Sequence, residues 1–224
     1  MENANDGKPK CRFDASVQAD LAAKMTVKLA IAVAAGFCLS AQAWVLNVTP
    51  GARTVYLAVG NATANADNTT INRVSLDLPA AQVGSGAAQV MNTNTASSST
   101  QANSPFDNYT LCTPATGQVY VGGFYRLPAT NATTAVLQVT TPASLTSGAN
   151  SIPFSQISWT STSLGNAGAA DIPAGAFASG GTVFLRNFGA NTYVENCHTF
   201  SYANTVPVAA GTYDGRATYT LTAP

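Results

Sequence analysis

From about residue 44 onward, apolar and polar residues alternate along the chain with a period of two. In "GQVYVGGFYRL", Val119, Val121, Tyr125 and Leu127 fall on one side. In "TTAVLQVTT", Ala135, Leu137 and Val139 do so. "INRVSLDLP" sets Val74, Leu76 and Leu78 against Arg73, Ser75 and Asp77. "SIPFSQISWTS" places Ile157 and Trp159 on one face and Ile152 and Phe154 on the other. "GGTVFLRNF" and "NTYVENCHTFSYAN" follow. The closing "AGTYDGRATYTLTAP" puts Tyr213, Ala217, Tyr219 and Leu221 together, opposite a row of threonines. Gly211 before this strand predicts a turn entry, and Gly215 inside it a bulge. Period-two alternation marks strands with one buried face. Clusters such as "GNATANADN", "TSGANS" and "NFGAN" punctuate them as turns. With no sustained 3.6-residue repeat, the pattern predicts an all-β sandwich or barrel of about 8–10 strands.

The polar, low-complexity stretch at residues 91–105 interrupts the alternation. The piece before it, residues 44–90, is too short to hold a core alone. We therefore read 91–105 as a surface loop and 44–224 as a single domain.

The first 43 residues differ in kind. Lys24 and Lys28 precede an apolar run from Leu29 to Leu39, and Ala41-Gln42-Ala43 closes it. A basic start, a short apolar core and a small-x-small end form a secretory signal peptide, expected over residues 25–43. The apolar run is shorter than the roughly 20 residues of a membrane span, so no stable span is expected after its removal. Residues 1–24 hold eight charges and no apolar periodicity, and read as an over-extended start. The expected location is the periplasm or outer surface of a Gram-negative bacterium.

Charge narrows the partners. Residues 44–224 carry five arginines, six carboxylates and no lysine. That surface offers no basic patch for phosphate, so nucleic-acid binding is not expected. Near-zero net charge permits close self-association. Two cysteines lie in this region, Cys112 and Cys197. In an exported chain an even pair reads as a disulfide. His198, the single histidine, adjoins Cys197, a spacing unsuited to zinc. Strand neighbours point to opposite faces, so this pair does not form a Cys–His nucleophile. His198 shares a face with Phe200 and Tyr202 and reads as a partly buried structural residue. We find no catalytic, metal or cofactor motif and expect no enzyme. Trp44, Tyr120, Tyr125, Trp159, Tyr193 and Tyr202 are the aromatic residues available to a sugar-binding platform, the alternative reading.

The carboxy-terminal segment resembles that of chaperone–usher fimbrial subunits and the related spore-coat-U-like secreted domains. The matching residues are Gly211, Tyr213, Ala217, Tyr219 and Leu221 in "AGTYDGRATYTL", with "IPFSQISW" similar to another strand of the group. The chain departs from the pattern at Ala223, where those subunits carry an aromatic, and in the late placement of its cysteines. The resemblance implies an immunoglobulin-like antiparallel sandwich lacking one strand, filled by a neighbour's amino-terminal extension. It also implies a homopolymer and a periplasmic chaperone. The candidate donor is residues 44–60, with Trp44, Leu46 and Val48, or Val55, Leu57 and Val59, as plugs. The same residues also suit an ordinary first strand of their own domain.

Overall fold

Strand β5 (Gln118–Arg126) and strand β12 (Thr192–Tyr202) pair antiparallel at the centre of the fold. The computed structural model describes residues 48–60, 72–93, 102–113, 117–128, 133–162 and 170–224. The expected leader, Trp44 and Leu46 lie outside them. On one side of β5 lies β1 (Thr54–Val59), with Thr54 opposite Arg126 and Val59 opposite Val121. Beyond β12 come β9 (Ile157–Ser161) and the short β10 (Gly175–Ala176). The two-residue β3 (Gln89–Val90) pairs with the end of β12. A second sheet has the order β11 (Gly181–Gly189), β6 (Thr134–Thr141), β13 (Thr218–Thr222). The remaining ladders are β2 (Val74–Ser75) with β4 (Asn92–Thr93), and the hairpin β7 (Ser144–Ser147) with β8 (Asn150–Pro153). The described residues thus hold thirteen strands, above the expected count because four are two-residue ladders.

The two larger sheets pack face to face as an antiparallel β-sandwich. Val119, Val121 and Tyr125 of β5 meet Leu137 and Val139 of β6 and Leu185 of β11 in the interior. These are the positions that alternation assigns to one face. Burying each such aliphatic side chain contributes about 1.5–3 kcal/mol.

Four expectations are corrected. Among the described residues "INRVSLDLP" forms only the two-residue β2; the chain leaves the ladder after Ser75, and Pro79 leads into a 3-10 turn at Ala80–Gln82. Phe154 does not face away from Ile157 and Trp159. A 3-10 turn at Phe154–Gln156 resets the phase, and all three join one core. The last strand is shorter than its pattern. Ala217, Tyr219 and Leu221 pack on the core, but Gly211 and Tyr213 precede β13. Tyr213 instead donates its hydroxyl to the Ala209 carbonyl at 2.8 Å, and lines a groove of about 160 Å³ with Tyr202 and Pro207. Gly215 is no bulge inside a strand. An added Cβ there would lie 2.5 Å from Leu145 and 2.7 Å from Phe154, so glycine allows close packing.

The low-complexity stretch divides. Met91 packs on the interior and residues 92–93 form β4. Residues 94–101 lie outside the described set, and Ala102 begins a closed loop.

Candidate functional site

The outer face of the larger sheet is covered as well as the inner one. Tyr56 and Ala58 of β1, Tyr120 and Phe124 of β5, and Tyr193 and Cys197 of β12 form a second apolar cluster there. A run such as "VYVGGFY" is apolar at both parities, as a strand covered on both sides requires. Residues 102–113 form the cover. Asn103 and Thr110 make a bridge, and the N–H groups of Leu111 and Cys112 both donate to the Ala102 carbonyl at 2.9 Å. The Cys112–Cys197 disulfide staples the loop to β12 with a Cα–Cα distance of 5.4 Å, and Phe106 stacks on Tyr193 at 4.9 Å.

Beneath the loop lies Glu195, fully buried. The Tyr120 hydroxyl donates to its Oε2 at 2.7 Å, and the Tyr193 hydroxyl is 2.8 Å from that of Tyr120. Among the described residues Glu195 Oε1 has no partner at hydrogen-bond geometry, although the Ser104 hydroxyl stands near the carboxyl. Burial pushes the Glu195 carboxyl up to about 7. The hydroxyls of Tyr120 and Ser104 offset this only in part, and the nearby charges of Asp107 and Asp171 add to it. The phenols of Tyr56 and Tyr120 are raised by burial first, then by neighbouring charge, Tyr56 to about 12.

The geometry depends on Gly122. An added Cβ would stand 2.2 Å from the Tyr120 hydroxyl and 2.9 Å from Glu195 Cβ. Gly122→Ala should therefore displace the Tyr120 ring and cost about 1–3 kcal/mol. Urea unfolding checks this; an unchanged midpoint would contradict the packing described. A glycine inside a strand often marks such an approach. It was the available signal for a cluster that sequence reasoning did not find.

His198 occupies the opposite face of β12 and is wholly rather than partly buried. Its ring lies 5.8 Å from Trp159 and 6.2 Å from Phe200, and among the described residues neither nitrogen has a hydrogen-bond partner. Desolvation lowers its pKa to about 3, so the imidazole is neutral near neutral pH. Among the described residues no group of three metal-ligating side chains occurs.

The donor-strand candidates separate. Val48 is buried in the outer cluster, and its N–H donates to the Asn191 carbonyl at 3.0 Å. Leu57 and Val59 pack on the interior, while Val55 is 44 % exposed. All of β1 pairs with β5 of the same chain, so Leu57 and Val59 fill their own domain's core here. Two further contacts hold the segment. Arg53 donates to the main-chain oxygens of Ala223 and Pro224, and Arg126 Nε donates to the Ala52 carbonyl at 3.2 Å. Of the candidate platform aromatics, Tyr120, Tyr125, Trp159, Tyr193 and Tyr202 are each no more than 6 % exposed, and Trp44 lies outside the described residues.

These features define a class: an antiparallel β-sandwich with a covered outer face and a disulfide-stapled loop. No protein-family model, curated protein or solved structure matches the chain.

Proposed function

We propose that this is an exported, non-enzymatic structural or adhesive protein of the bacterial surface, whose copies associate by exchanging the first strand. The observation that carries the reading is the position of β1. Among the described residues it is an edge strand whose sole sheet partner, β5, begins 58 intervening residues later. No further strand among the described residues pairs with its outer edge, where the Asn72 side-chain amide donates to the Val59 carbonyl at 2.7 Å, and Leu57 and Val59 plug a core built by other strands. Such a strand fits equally well when supplied by a second copy, because the same hydrogen bonds and contacts form. A domain with no lysine and eleven charges in 181 residues opposes close approach only weakly. The disulfide suits an oxidising compartment. Among the described residues no helix is long and apolar enough to cross a membrane.

The test locks β1 in place. Thr54 and Arg126 are directly opposed, so Thr54→Cys with Arg126→Cys offers a cross-strand disulfide. The exported wild-type chain should give a ladder of oligomers on an unboiled denaturing gel. The oxidised double variant should run as a monomer and recover the ladder on reduction. If the wild-type chain gives no ladder at any concentration, or the locked chain gives the same ladder, the exchange reading is wrong.

A further inference from the structure

We propose that residues 102–113 form a proton-operated flap, closed over the outer sheet face while Glu195 is protonated and released when it ionises. The inference stands apart from strand exchange. The flap is held by its disulfide to Cys197, the Phe106–Tyr193 stack, the packing of Leu111 and Cys112 on the outer cluster, the Thr113 N–H that donates to Gln118 Oε1 at 2.7 Å and the Ser104 hydroxyl at the Glu195 carboxyl. Most of its hydrogen bonds are internal, such as Ser104 N–H to the Tyr109 carbonyl at 2.7 Å and Asn108 N–H to the Ser104 carbonyl at 3.0 Å. It therefore can lift as a unit around its covalent tether.

What it covers is a carboxyl with no cation beside it among the described residues. Glu195 meets the phenol of Tyr56 from β1, Tyr120 from β5 and Tyr193 from β12. The flap brings the carboxylate of Asp107, and the stretch after residue 170 brings Asp171. Arg186 acts on Asp171 rather than on Glu195. An ionised Glu195 thus lacks water and repels Asp107, which sits on the flap itself. Lifting the flap relieves both at once, and the Ser104 hydroxyl it carries away offsets this only in part. A protonated Glu195 has neither problem, since a neutral carboxyl is cheap to bury.

The sign follows from proton binding. The closed state holds the proton to about pH 7, whereas a solvated glutamate releases it near the ordinary value of 4.5. Opening therefore becomes roughly tenfold more favourable per pH unit between those two values and levels off above the higher one. Hydrogen exchange on the intact, oxidised protein reads this directly. The Leu111 and Cys112 amides, which donate to Ala102, should open on the order of 100-fold more at about pH 8 than at about pH 5. The Leu137 and Val139 amides of β6 calibrate the base catalysis common to all amides. Glu195→Gln should abolish the extra dependence. Asp107→Asn, which removes the charge on the flap, should move its upper plateau to lower pH. Flap amides that track β6 throughout in the wild-type protein would overturn the proposal, whether or not Glu195→Gln folds. So would an Asp107→Asn profile identical to the wild type.

Discussion

Glu195→Gln should turn a nearly pH-independent stability into one that climbs by about 3 kcal/mol from pH 4.5 to pH 6.5. The reason is that two buried groups oppose each other. The raised pKa of Glu195 means that the folded state binds a proton that the unfolded state has lost between pH 4.5 and about 7. Stability from this group falls with rising pH across that window. The lowered pKa of His198 has the reverse effect. The unfolded state binds a proton that the folded state refuses between about 3 and 6.5, so stability rises with pH there. Each slope is about 1.4 kcal/mol per unit, and the two cancel where they overlap. With Glu195 replaced by its uncharged isostere, the histidine slope stands alone. His198→Phe, which keeps a ring beside Trp159, should show the opposite: a fall of about 3 kcal/mol between pH 4.5 and 7. Asp171, also raised by burial, adds to the glutamate's direction. Urea titrations at several pH values measure all three proteins. Parallel profiles would show that neither group carries a shifted proton.

Removing the Cys112–Cys197 bridge should cost about 4–5 kcal/mol. The sequence separation is 85 residues, and closing so long a loop in the unfolded chain is entropically expensive. The double replacement Cys112→Ala with Cys197→Ala avoids stranding a free thiol. Guanidinium unfolding should show a lower midpoint with a larger slope, because the unbridged denatured state exposes more surface. Both sulfurs are buried, Cys112 at 3 % and Cys197 at 0 % exposure. Reductant should thus act on the native protein only as fast as residues 102–113 detach or the domain unfolds. An unchanged midpoint in the double variant would mean that the sheet, not the bridge, holds the loop.

Much of the sandwich was legible in the sequence because its interior face obeys strict alternation. Val119, Val121, Tyr125, Ala135, Leu137 and Val139 all lie where a period of two puts them. The disulfide followed from two cysteines in a chain with a leader-like start. What stayed hidden arises where the chain departs from simple alternation. Pro79 and the turn at Phe154–Gln156 shift the phase, and a period carries no information about where it resets. The outer cluster was missed for a different reason. Alternation searches for one apolar face, whereas β5 and β12 are covered on both, so Tyr120 and Phe124 read as the solvent side. Glu195 gave no signal, since an acidic residue in mid-strand ordinarily points to water. The end of the chain misled in the other direction: its alternation extends to Tyr213, but the ladder to β6 begins only at Thr218.

The distance along the chain between β1 and its partner also sets a clock. Synthesis at about 5–20 residues per second leaves β1 complete for several seconds before β5 exists to receive it. Cys197, in β12, and the closing strand β13 arrive later still. Throughout that interval the nascent segment carries both its backbone donors and its apolar plugs without a home. Under the proposed exchange of the first strand, how many other copies are within reach during those seconds would decide whether the segment waits for its own β5 or is claimed by a neighbour's.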